Sequence, residues 1–121
     1  MTKTFYTSNY ETNGTNPKAV AISEPSLVPA SYEGVRNADL APTKELLNEY
    51  HDQKITHEEY SKHYTSLLTA RGLTPEKIAE SFEDGTTFLC FDYEDGDPSV
   101  CHRVILAEWL TEAGVAVVTE I

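Results

Sequence analysis

The spacing of apolar and polar residues changes period several times along this chain, and each change marks an element. Residues 4–10 are β-branched and aromatic without glycine or proline, which suits a first strand. Asn13-Gly14 and Asn16-Pro17 then signal turns. A short apolar run over residues 18–23 has strand length, and Pro25 ends it. Residues 24–42 hold three prolines, a glycine and several small polar side chains. They read as one long irregular connection, of the kind that often carries function.

From residue 44 the period becomes helical. Leu46, Leu47 and Tyr50 share one face after Pro42. Thr56 and Glu59 have capping-box spacing, in which each side chain satisfies the other's backbone donor, and Ile55 and Tyr60 are placed as a hydrophobic staple. Tyr60, Tyr64, Leu67 and Leu68 continue the stripe as far as Gly72. A third helix begins at Thr74, with Pro75 in the first helical position where its missing N–H costs nothing, and Gly85 closes it.

Residues 86–93 read as a buried strand around Phe88, Leu89, Cys90 and Phe91. After an acidic loop, Asp97 or Ser99 caps a helix that runs to Ala113; Gly114 ends it, and residues 115–121 form a last strand. Strand, helix and strand make a βαβ unit, which requires parallel strands and a right-handed crossover. The expected fold is α/β. One domain over residues 1–121 has a small, mainly parallel sheet flanked by helices, with the βαβ unit at its C-terminal end.

Composition narrows the classes of function. A chain of 121 residues suits one core. With no apolar run of about 18 residues and no basic, apolar leader, neither a membrane span nor a secretion signal is expected. The location expected is cytoplasmic. Two cysteines do not make a disulfide framework, so both read as reduced thiols, a Cys90–Cys101 bridge being the geometric alternative. The net charge of −11 opposes binding to a nucleic-acid duplex. From Ile78 onward ten acids face a single base, Arg103. A protein partner and the oligomeric state stay open. Walker, dinucleotide-binding and zincin motifs are absent. Zinc on Cys90, Cys101 and His102 lacks a Cys-x-x-Cys pair and an evident fourth ligand. No metal or cofactor is expected.

In a parallel sheet, ligands sit at the carboxyl ends of strands beside helix N-termini. Residues 92–103 build that edge here, joined by Ser8, Asn9 and Tyr10 if the first strand is also parallel. Cys101, His102 and Arg103 fall in the first turn of the last helix, where the dipole favours anions and eases thiol ionisation. A cation there calls for a negative neighbour. Asp92, Glu94, Asp95 or Asp97 would make Arg103 an internal anchor, whereas a ligand phosphate or carboxylate would make it a clamp. Cys90 alone is a small buried hydrophobe. His51, His57 and His63 read as surface or half-buried groups.

The series Leu89-Cys90-Phe91-Asp92, a short acidic loop, Cys101-His102-Arg103 and Ala107-Glu108-Trp109-Leu110 resembles the domain-of-unknown-function family numbered 488. Gly114 to Val117 is similar to that family's final Gly-x-x-Val strand, and Tyr6-Thr7-Ser8-Asn9-Tyr10 to its first. Leu40-Ala41-Pro42 and the helix bearing Tyr60 and Tyr64 resemble one of its shorter branches. The resemblance implies an α/β fold with one pocket lined by Tyr6, Ser8, Asn9, Cys90, Cys101, His102 and Arg103. It implies no reaction. Where many members carry an acid and then an arginine at the end of the second strand, this chain has Ala21-Ile22-Ser23-Glu24.

Three functions fit these readings. The first is binding of an anionic small molecule, a nucleotide or related metabolite, in a sensing or sequestering role. The second is an enzyme acting on a nucleotide or nucleobase-type substrate, with Cys101 or Asp92 supplying nucleophilic or acid–base chemistry. The third is an acidic inhibitor of a protein partner, of the phage anti-defence kind, working through the acids between Glu76 and Asp97.

Overall fold

The computed structural model describes residues 2–23, 28–52, 54–90 and 102–121. Five strands form one sheet: β1 (Lys3–Ser8), β2 (Ala19–Ala21), β3 (Val35–Arg36), β4 (Thr87–Leu89) and β5 (Ala116–Glu120). Their order is β3-β2-β4-β1-β5, and every neighbouring pair is parallel. All the carboxyl ends therefore lie on one edge, as the expected α/β architecture requires.

The helices are α1 (Tyr10–Asn13), α2 (Lys44–His51), α3 (His57–Ala70), α4 (Pro75–Ser81) and α5 (His102–Glu112). Strand side chains alternate between faces, and the alternation divides the core in two. Phe5, Val20, Ile22, Phe88 and Cys90 pack beneath the apolar stripes of α2 to α5, including Leu46, Tyr64, Ile78 and Leu106. On the opposite face, Ala19, Ala21 and Leu89 meet Val28, Tyr32 and Tyr10. Most of the apolar burial is thus on the helix side.

The local punctuation is where the residue pattern puts it. Thr56 Oγ1 accepts from the Glu59 N–H at 3.1 Å while Glu59 Oε1 accepts from the Thr56 N–H at 3.0 Å. Thr74 caps α4 ahead of Pro75. Three details differ. β4 and β5 are parallel members of one sheet but not neighbours, because β1 lies between them and pairs with both. Residues 10–13 form a short helix capped by Asn9, whose side chain accepts from the Thr12 N–H at 2.7 Å. The irregular connection also contains β3 and a 3-10 turn, Ala38–Leu40, anchored by the buried Leu40. The proposed caps of the last helix, Asp97 and Ser99, lie outside the described residues. Among the described residues, no helix is long and apolar enough to cross a membrane.

Candidate functional site

The first described residues of α5 lie at the carboxyl ends of the strands and bond directly to three of them. His102 is buried, and its Nε2–H donates to the carbonyl of Ile22, just past β2, at 2.7 Å. A carbonyl only accepts, so the hydrogen sits on Nε2. Burial is the main reason the imidazole pKa falls to about 4, and the charge of Arg103 adds to it against the Ile22 hydrogen bond. His102 is therefore a neutral donor at pH 7. The ring also meets Tyr64 edge-on, with centroids 5.5 Å apart.

Arg103 is 1% exposed. Its Nε and Nη2 donate to the two carboxylate oxygens of Glu120 at 3.0 and 2.9 Å. Nη1 donates to the carbonyl of Cys90 at 3.2 Å and approaches its Sγ at 3.4 Å. Thr7 Oγ1 donates to Glu120 Oε1 at 2.6 Å. Register explains the meeting: Thr7 and Glu120 are directly paired across β1 and β5, two residues beyond the pair Phe5 and Val118. His102 and Arg103 together tie α5 to the ends of β2, β4, β5 and, through Glu120, β1. Burying a guanidinium costs several kcal/mol unless a carboxylate meets it in good geometry. The two-point contact with Glu120 supplies that geometry. Among the described residues, the carboxylate facing Arg103 is Glu120. The four acids expected to do this, Asp92, Glu94, Asp95 and Asp97, lie outside the described set.

The residues singled out from the sequence divide as follows. Cys90, His102 and Arg103 converge. Cys90 is 1% exposed and disulfide-bonded, which corrects the expectation of two reduced thiols where Cys90 is concerned. Cys101 and Asp92 lie outside the described residues. Ser8 ends β1 on the opposite face from Arg103, where its hydroxyl donates to the Ile121 carbonyl at 2.9 Å and accepts from Asn13 Nδ2 at 2.7 Å. Asn9 serves as the cap of α1. Tyr6 is half-buried, and strand alternation sends it to the face of Ser8 rather than that of Phe5 and Thr7.

Thr7 and Glu120 were not singled out from the sequence, although one signal was present. Phe5 belongs to the core, so Thr7, two residues on, must share its face. A second cluster at the same edge includes Tyr10, which the sequence reading placed there, and Ser23, Tyr32 and Arg36, which it did not single out. On the far face, Tyr10 Oη donates to Ser23 Oγ at 2.8 Å, and the Tyr10 and Tyr32 rings meet edge-to-face at 5.4 Å. Burial raises the Tyr10 phenol pKa, and the hydrogen bond to Ser23 opposes the rise. Arg36, at the end of β3, lies over the Tyr32 ring at 5.9 Å and donates to the Tyr32 carbonyl at 2.9 Å. Ala21 and Arg36 are register partners. Arg36 thus stands one strand away from the end of β2.

A family model described as "Active DUF488-N3 subclade", DUF488-N3a, matches residues 7–114. Neither the curated proteins nor the solved structures contain a match to the chain.

Proposed function

The chain belongs to the DUF488 family, in its N3a subclade, and on that premise we propose that it binds an anionic small molecule, a nucleotide or related metabolite, at the carboxyl edge beside His102 and Arg103. The observation that carries this reading is the state of Arg103. Its guanidinium is buried, held in place through Cys90, and presents a two-point face to a carboxylate whose side chain is 42% exposed. Such a fork accepts a carboxylate or phosphate of matching geometry. Glu120 occupies it now, and a ligand anion would take its place while Glu120 turns outward to water. The net charge of −11 supports a small ligand rather than a nucleic-acid duplex.

The test is a thermal-shift series with nucleotides, sugar phosphates and small dianions on three proteins: wild type, Glu120→Gln and Arg103→Lys. A ligand at a hundred times its dissociation constant stabilises by about 2.7 kcal/mol, or roughly ten degrees for a chain of this size. The expected result is a shift in wild type, a larger one in Glu120→Gln, where the competing charge is gone, and little or none in Arg103→Lys. If wild type and Glu120→Gln both fold cooperatively and neither responds to any anion, the reading fails.

The word "active" in the family description favours a second reading, chemistry on the bound ligand. Its candidate groups, Cys101 and Asp92, lie outside the described residues. Recovery of the ligand from denatured protein separates the two readings: unchanged ligand supports binding alone, and altered ligand supports an enzyme. Our reading includes a cytoplasmic location, where the prevailing redox poise would act to open the Cys90 bridge.

A further inference from the structure

A groove of about 290 Å³ runs between α5 and the strands beneath it. Its floor is Val104, Ala107 and Val118, all half-buried, and Glu108, Glu112 and Glu120 stand along it. Glu120 is engaged by Arg103. Glu108 and Glu112 are exposed and pair with no lysine or arginine among the described residues. Between residues 102 and 121 the one lysine or arginine is Arg103, which is buried against Glu120, so among the described residues no ion pair offsets the charge of Glu108 and Glu112.

β5 is the terminal strand of the described sheet beside this groove, so among the described residues the backbone groups on its outer side pair with no other strand. Exposed strand edges invite strand addition, and proteins usually guard them with lysine or proline. Residues 115–121 contain neither.

We propose that this groove, with the open side of β5, receives an extended basic segment of a partner protein. The aliphatic stems of lysine or arginine cover the apolar floor and their charged ends meet Glu108 and Glu112, while the segment's backbone runs along β5. Charge selects this occupant. A second copy of the chain would bring the same acids into opposition, and a nucleic acid would be repelled. The groove shares Glu120 with the anion reading, but the test does not depend on that reading, since neither Glu108 nor Glu112 pairs with Arg103 among the described contacts.

The test uses a fluorescein-labelled octapeptide of alternating lysine and valine, titrated by fluorescence anisotropy. Binding is expected to wild type, weaker by roughly fivefold or more to Glu108→Gln/Glu112→Gln, and to fall as salt is raised. A matched pair elsewhere, Glu45→Gln/Glu80→Gln, makes the same change in net charge and is expected to leave the affinity within about twofold of wild type. The same peptide with glutamate for lysine is expected not to bind. Amide chemical-shift changes with the lysine peptide should concentrate on α5 and β5. No binding by folded wild type, equal weakening by the two variant pairs, or shifts centred on another surface would each overturn the proposal.

Discussion

A positive charge in the first turn of a helix opposes the helix dipole, and Arg103 is in addition removed from water. Among the described residues the carboxylate that offsets both costs is Glu120, which Thr7 steadies from the neighbouring strand. His102 follows the opposite strategy and gives up its charge. Its pKa in the folded protein is about 4, below the ordinary 6.5. Between those values the unfolded chain binds a proton that the folded one does not. The contribution of His102 to stability is therefore complete above pH 6.5 and is lost as pH falls toward 4, over a window worth about 3 kcal/mol. Urea midpoints measured from pH 7 to 4.5 should fall more steeply for wild type than for His102→Gln. Parallel declines would assign the acid sensitivity to carboxylates instead.

At the scale of elements, the middle of the chain was legible because its signals are local. A cap, a staple and a helical stripe all act within about two turns, and Thr56, Glu59, Thr74 and Pro75 sit where the sequence implies. The link from α5 to β5 is local in the same way. Gly114 has φ +73°, and a Cβ built on it would meet nothing within 4 Å. Gly114→Ala should therefore cost only the left-handed backbone penalty, about 1–2 kcal/mol or roughly four to eight degrees in Tm, and Gly114→Asn less. Equal melting of Gly114→Ala and wild type would contradict the conformation. By contrast, β3 and the turn at Ala38–Leu40 left no period to read. Two or three residues are too few, and their placement depends on β2 and on Tyr32.

Across the whole molecule, 20 acids stand against 9 bases. Like charges on a surface of this sign repel more in the compact state than in the unfolded chain. Raising sodium chloride from about 10 to 150 mM shortens the Debye length from roughly 30 to 8 Å, so Tm is expected to rise over that range. The buried Arg103–Glu120 contact is only weakly screened and should not reverse the trend. A Tm that falls with salt would mean that attractive surface pairs dominate. The described surface offers one exposed lysine–glutamate pair, Lys62 with Glu58.

The sequence by itself determined the α/β class, the parallel βαβ ending, the capped helices and the stretch of chain around Cys90, His102 and Arg103. Those follow from short-range periodicity and from residue types with few alternative uses. Only the tertiary structure decided which strands are neighbours and which side chains share a face across them. The insertion of β1 between β4 and β5 brings Thr7 to Glu120 over a separation of 113 residues, and Arg103 to both β4 and β5. A one-residue change of parity sends Tyr6 and Ser8 to the opposite face while Thr7 enters the site. Register is a property of paired strands, and no segment read alone contains it.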